Sequence, residues 1–384
     1  MLTVSIHDSL QPLTAAQWAD LFSGHPDPPE LIELVSNCGM EGFVFESMVI
    51  RKNETPVLLL PLFQTRYPVA TSIDGSARER LIKLEKWVPD LVKPPVLGVG
   101  FVEGEYGQIG INRSFDVGTL DQAWNLAFQT LDLIARKRKL QAIFLWNFSA
   151  DTIAQLPDSL TNRFCDVVSQ PYCEFQVGFD NLDGYLQTLD KDMRRYLTRV
   201  RKNGGAITIE RTRDIGAVEQ QIFDMYKMLL GRVDMSFGAH VFEYFATITD
   251  SVPGAHYALY KLHGRLIGFE LLIDRDDMLV SKYFAMDPND GPQYKLYFLS
   301  WLANLEYCLE RRIPTYYLGS AAEGLKVKLG ARMIPGVVLF KHRNPLLNLI
   351  FRKCKHLLEY DVEDSFGRSD QSSSAKKKPV HSAI

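Results

Sequence analysis

Glu270 stands in the middle of an apolar run, Ile267 to Ile273 (IGFELLI). A carboxylate there must be paired or carry a raised pKa, which is what a proton acceptor working near neutral pH needs. Asp287, His240 and His256 are the other candidates for a base. Arg194, Arg195 and Arg199 share one face of a helical stretch with Arg201 and Lys202, while Met193, Tyr196, Leu197 and Val200 make the opposite face. Such a basic face can meet a phosphate or a polyanion, and its plainer reading is a solvated helix surface. Lys326 and Lys328 lie in a loop bracketed by Gly319 and Gly330, where a lysine can hold a phosphate or a carboxylate. HExxH, a phosphate loop ending GK[ST] and GxSxG are all missing from the sequence. The eight histidines do not cluster at metal-ligand spacing, so no metal is expected. GVGFVEGEYG does not follow the strand–GxGxxG–helix pattern of a dinucleotide site.

The elements that position these residues centre on Tyr294 to Gly330. Phe298, Trp301, Leu302, Leu305 and Leu309 fall close to i, i+3, i+4, i+7 and predict a long helix with one apolar stripe. Gly291 and Pro292 mark its first turn, and Pro314 lies beyond its end. Thr315 to Leu318 is β-branched and aromatic, a short buried strand ended by Gly319. A helix feeding a strand and then a polar loop puts that loop at a sheet end, where α/β proteins bind ligands. Upstream, the pattern predicts strands at 174–179, 206–210 and 278–286, helices at 182–189, 192–202 and 218–230, and a hairpin of 256–262 with 266–273. Gly204 and Gly205 are expected to stop the basic helix through positive φ.

The first half reads as the same plan. Phe43 to Ile50 and Pro56 to Phe63 flank a polar turn and predict a hairpin. Thr14 with Gln17 predicts a capping box at the start of a helix over Ala15 to Phe22, followed by a proline-rich turn. A strand is expected at 4–7, helices at 76–87 and 120–134, and a buried strand at 142–146. RKRKLQAIFLW (136–146) matches ERRIPTYYLGS (310–320) in pattern. The expected division is 1–170 for a first lobe, 171–345 for a second, 346–363 for an amphipathic helix and 364–384 for a disordered tail. The helix is expected to pack on the second lobe, with a membrane-surface contact as the other reading.

With 384 residues, 46% apolar and 23% charged, the chain has the balance of a globular protein of two domains. A net charge of −3 argues against general affinity for nucleic acid. No run approaches the roughly 18 apolar residues of a membrane span, and no basic-then-apolar leader opens the chain. The five cysteines are scattered, without CxxC, as expected of reduced thiols in the cytosol.

The order of elements carries a family resemblance. From about Phe175 to Phe340 the chain resembles the FemAB/BioF2-like branch of the GNAT acyltransferase superfamily. LQTLDKDMRRYLTRVRK, AITIE, ALYKLHGRLIGFELLI and FAMDPNDGPQYKLYFLSWLANLEYCLERRI lead in turn to YYLGSAAEGLKVKLG. The first half resembles the degenerate N-terminal lobe of that family, including LPLF at Leu60 to Phe63. The resemblance implies tandem GNAT-like folds of the α/β (α+β) class, with mixed sheets flanked by helices. It also implies acyl transfer from acyl-CoA, acetyl-CoA first, to an amine of a small molecule, sugar or envelope precursor. The alternatives are aminoacyl transfer from tRNA, and a non-catalytic binding or scaffold protein. Such transfer needs aligned substrates, a base, oxyanion donors and cations or amides for phosphates. The implied residues are Glu270 as base, Tyr294 or Tyr297 as proton donor to the leaving thiolate, and Lys326, with Lys328 beside it, as an anion holder. Arg194, Arg195 and Arg199 match the family's basic helix, Gly291 is the glycine present in the phosphate loop, and Gly319, which ends the short strand, is a further candidate for substrate or cofactor binding. The phosphate loop departs from the family pattern. DPNDGPQYK holds only Gly291, and Asp287 and Asp290 bring negative charge to the place of a pyrophosphate.

Overall fold

The computed structural model describes the chain except residues 10–12, 23–26, 70–82, 105–106, 155, 232–237, 321, 354 and 356–384. Most of the helix expected at 76–87 and the tail from 364 lie outside the described residues.

The first lobe runs β1 (Leu2–His7), α1 (Ala15–Leu21), α2 (Pro29–Cys38), β2 (Val44–Lys52), β3 (Thr55–Arg66), α3 (Pro89–Val92), β4 (Pro95–Val99) and β5 (Gly110–Ile111). It continues with α4 (Val117–Lys137), β6 (Ala142–Ser149), α5 (Ala150–Ala154) and α6 (Asp158–Thr161). The capping box forms: Gln17 N donates to Thr14 Oγ1 at 3.3 Å and Thr14 N to Gln17 Oε1 at 3.0 Å. The proline-rich turn is in fact the start of α2. Pro29 occupies the first helical turn, where its missing N–H costs nothing.

The second lobe runs β7 (Cys165–Gln176), α7 (Leu182–Thr188), α8 (Lys191–Asn203), β8 (Ile207–Thr212), α9 (Glu219–Leu230), α10 (Phe242–Ser251), β9 (Ala255–Leu262) and β10 (Arg265–Arg275). Then come β11 (Met278–Met286), α11 (Asp290–Gln293), α12 (Leu296–Arg311), β12 (Thr315–Tyr317), α13 (Glu323–Lys328), β13 (Arg332–His342) and α14 (Pro345–Lys353). Three expectations need correction here. Gly204 has φ −69°, and α8 passes into a tight 3-10 turn. A glycine is needed there for space, because a Cβ would sit 2.7 Å from Leu299. The long helix breaks at Lys295, which is left-handed at φ 56°, so α11 and α12 are separate. The lysine loop is not open chain: it winds into α13.

One 13-stranded sheet carries both lobes, in the order β1-β2-β3-β4-β6-β13-β7-β12-β11-β10-β9-β8, with β5 beside β3. Along this path β1-β2-β3-β4-β6 and β8-β9-β10-β11-β12 are two five-strand runs, each ending in a parallel pair, β4 with β6 and β11 with β12. Two further strands of the second lobe, β7 and β13, join the runs. β13 lies between β6 and β7, and β7 lies between β13 and β12, antiparallel on both sides. Residues 170 and 171, where the sequence divides most simply, therefore fall inside the shared strand β7. β13 accommodates Pro335 with a register shift between Ile334 and Gly336. Three large cores hold the helices to the sheet. One spans the lobes, joining Trp18, Leu31, Val35, Val49 and Phe101 to Tyr226, Tyr244 and Phe245. A second packs α12 under β9–β12, and a third packs α4 on the first lobe's strands. Each fully buried Leu or Phe contributes about 1.5–3 kcal/mol.

Candidate functional site

β11 and β12 pair over only three residues, ending at Val280 opposite Tyr317. Beyond that point β11 stays on β10 and runs on to Met286, so the parallel pair opens. At the opening the β10 register steps from Leu271↔Tyr283 to Leu272↔Ser281, which makes Lys282 the extra residue of a bulge. A bulge re-aims the side chains beside it. Ser281, Lys282 and Tyr283 consequently reach into two separate buried polar networks.

The first network lies between the lobes. Lys282 Nζ donates to Asp27 Oδ1 at 3.2 Å and to the Glu103 carbonyl at 2.9 Å. Gln108 Nε2 donates to Asp27 Oδ2 at 2.6 Å, and the Tyr283 hydroxyl donates to Glu103 Oε1 at 2.7 Å. Glu103 Oε2 lies 3.0 Å from His240 Nε2, and the His240 side chain has no exposed surface. The His240 ring stacks on Tyr244 at 3.8 Å and 10°. Burial alone would raise the Glu103 carboxyl, but His240, Lys282 and the Tyr283 hydroxyl hold it down to about 2. Burial drives the Tyr244 and Tyr283 hydroxyls well above 10, aided by the Glu103 charge, so both stay protonated. Among the described residues, Gln108 Oε1, His240 Nδ1 and the Tyr244 hydroxyl are buried side-chain polar atoms without a hydrogen-bond partner, and His240 Nε2 is ion-paired with Glu103 without the alignment of a hydrogen bond. All belong to this one network. Unpaired buried polar atoms are uncommon in native proteins, and each has a cause such as a bound water, an ion, strain or a chemical role. A cavity of 390 Å³ adjoins it, walled by Met40, Glu41, Phe223, His240 and Phe242, while the His240 ring nitrogens are closed off from it.

The second network lies beneath α12 and is fully paired. Glu270, 2% exposed, accepts from Ser281 Oγ at 2.6 Å, Asn304 Nδ2 at 2.9 Å, the Tyr260 hydroxyl at 3.1 Å and the Tyr316 hydroxyl at 3.3 Å. Asn304 Oδ1 in turn accepts from Arg211 Nη2 at 2.8 Å. Glu270 thereby ties β11 to β12 and α12 at the opening.

The remaining candidates are dispersed. Lys326 is buried and donates to the carbonyls of Leu318 at 2.5 Å and Gly319 at 3.1 Å, closing the end of β12. Gly319 needs its freedom there, at φ 66°. Lys328 is exposed on α13. Tyr294 is half-buried against the core under α12. Tyr297 packs nearby, its hydroxyl raised by burial and by the Glu270 charge. Gly291 is buried where a Cβ would meet Met286 Sδ at 2.6 Å. Arg194, Arg195 and Arg199 are exposed on α8, and Arg194 Nη2 bonds the Leu189 carbonyl at 3.1 Å. His256 is held by the Gly254 carbonyl at 3.0 Å at the far end of β10, beside a second cavity of 340 Å³. The Asp287 carboxylate accepts from the amides of Asn289 at 2.9 Å and Asp290 at 3.0 Å, and Arg265 pairs with Asp290. The chain thus places its own carboxylate on these two loop amides.

Sequence reasoning found His240 but missed Asp27, Glu103, Gln108 and Lys282. The only signal for Lys282 was a charge within a strand of apolar and aromatic residues.

No protein-family model matches the sequence, and no curated protein does. Solved structures match the fold. A tandem GNAT protein from the clavulanic acid biosynthesis pathway aligns at TM-score 0.53 and 11% identity, over 89% of this chain and 98% of that one. The C-terminal domain of a putative lysylphosphatidylglycerol synthetase from Agrobacterium fabrum aligns at 0.52 and 10%, over 87% and 94%. FemX aligns at 0.51 and 12%, over 86% and 96%. The chain has a tandem GNAT fold.

Proposed function

We propose that this protein transfers an acyl or aminoacyl group to an amine, and that the reaction takes place where β11 parts from β12. The observation that carries this reading is the collection of unpaired polar atoms around Glu103, His240 and Tyr244 at that opening. In the proposed reaction the amine nitrogen attacks the acyl carbon, and the new C–N bond forms as the amine proton passes to His240. Glu103 orients the imidazole and balances the charge it gains. The neutral Tyr244 hydroxyl donates to the oxyanion of the tetrahedral intermediate. The intermediate collapses, the C–S or C–O bond to the carrier breaks, and the leaving group takes up the proton. Access to the ring requires the Met40–His240 contact between the lobes to part, and that is a single isolated β-bridge. Glu270, with its four donors, serves as a positioning residue for Ser281 and Tyr316.

Acyl-CoA is the first donor to test. The Asp287 carboxylate on the loop amides favours a second reading, a donor that carries no pyrophosphate into that loop, such as an aminoacyl ester of tRNA. The exposed arginines of α8 suit the same donor. The solved structures named FemX and lysylphosphatidylglycerol synthetase support acceptors of the cell envelope as the first class to screen. The deciding experiment is thermal stability against acetyl-CoA, longer acyl-CoAs, free CoA and aminoacyl-tRNA. A saturable rise with one donor class assigns the carrier. No rise with any of them would overturn the transferase reading.

A further inference from the structure

The last helix is held to the sheet by its inner face alone. The Phe351 ring packs 5.4 Å from Phe340, and Asn348 Oδ1 accepts from the His342 amide at 2.9 Å. No residue of α14 is buried. Leu346, Leu349 and Ile350 are 66%, 51% and 47% exposed, and their i, i+3, i+4 spacing gathers them into one outward stripe. Leu84, Trp87 and Val88 before α3 form another exposed apolar group, while Leu133 on α4 stands alone.

The charges around this stripe are of one sign. From Lys341 to Lys355 the sequence has no Asp or Glu, in a chain whose net charge is −3. Lys341 is matched by Asp132 and Lys355 by Asp166, each at 2.8 Å. Arg343, just before α14, and Arg352 and Lys353, at its end, are exposed and have no carboxylate partner among the described residues. Unmatched cations therefore bracket the aliphatic stripe at both ends. A protein partner would need a carboxylate placed at each end of an apolar groove. A sheet of anionic headgroups over hydrocarbon supplies both without such placement.

We propose that α14 docks the protein on an anionic membrane surface, with Leu346, Leu349 and Ile350 entering the headgroup layer and Arg343, Arg352 and Lys353 meeting lipid phosphates. Three aliphatics and three cations make a reversible contact. The proposal is independent of the transferase reading, since none of these residues belongs to the inter-lobe network.

The test is co-sedimentation of the full chain with vesicles of phosphatidylcholine alone and of phosphatidylcholine mixed with phosphatidylglycerol. The expected result is partitioning at least about tenfold stronger to the anionic vesicles, weakened by salt. The triple substitution Leu346→Gln, Leu349→Gln, Ile350→Gln should abolish it with an unchanged melting temperature, because all three side chains are exposed. This variant leaves every charge of the chain unchanged, so the loss reports the stripe. Equal partitioning of variant and wild type, or no partitioning of the wild type, would overturn the proposal. So would a wild-type dimer in solution that the substitutions dissociate, which would assign the face to a second copy.

Discussion

The two lobes end their own strands in the same way, with a parallel pair, and treat the space beyond it in opposite ways. In the first lobe β4 and β6 pair from Val96↔Ala142 to Val99↔Leu145. The chain then returns so closely that Gly107 N donates to the Asn147 carbonyl at 2.8 Å, and a Cβ on Gly107 would lie 1.8 Å from the Trp146 carbonyl oxygen. Backbone fills that opening. In the second lobe the same place receives Ser281, Lys282 and Tyr283, bound to two buried polar networks. A shared strand plan thus yields one sealed lobe, which lends Asp27, Glu103 and Gln108, and one lobe whose opening is lined by buried polar groups.

The largest stability effect should come from Lys282→Met. It leaves the buried Asp27 carboxylate without its cation, and breaking a buried pair costs about 3–5 kcal/mol. Denaturant unfolding of the variant measures this, and a loss within experimental scatter would mean the opening is not the tight charged junction described. Gly107→Ala should also destabilise the fold, since its Cβ would meet a backbone carbonyl that cannot swing aside, and the folded variant should keep donor binding. Weakened donor binding in that variant would break the distinction between the lobes.

A further effect concerns acid stability. The Glu103 carboxyl is held at about 2 against an ordinary 4.5. A carboxyl depressed by folding contributes stability that is fully present above its unfolded value and is lost as pH falls through the folded one. That contribution should hold above pH 4.5 and fade between there and about 2. Glu103→Gln should flatten the acid limb of a melting-temperature profile over that window. An unchanged acid limb would show that Glu103 is not held by His240 and Lys282.

Much of the framework was legible because it rests on local pattern. The capping box at Thr14, the turn at His263-Gly264 and the stripe of α12 are set by residues within a few positions of one another. The misreadings share a cause in tertiary context. Pro335 masked β13 because a proline argues against a central strand, and a register shift between the lobes absorbs it. Gly204 looks like a helix stop but is small because Leu299 lies above it. Lys295 carries no mark of the left-handed conformation it adopts. The inter-lobe network draws Asp27, Glu103, His240 and Lys282 from four distant stretches, and no spacing rule brings them together. The sequence marks Glu270 as a carboxylate that must be paired or carry a raised pKa, and it could not supply the set of four donors that pair it.

The central claim is that ligand chemistry belongs to the opening of the second lobe and not to its sealed counterpart. Hydrogen exchange of the full chain, with and without the donor that raises its melting temperature, tests this most directly. New protection is predicted at 278–286 and 238–245, with none at 142–149. Protection centred on 142–149 instead would contradict this.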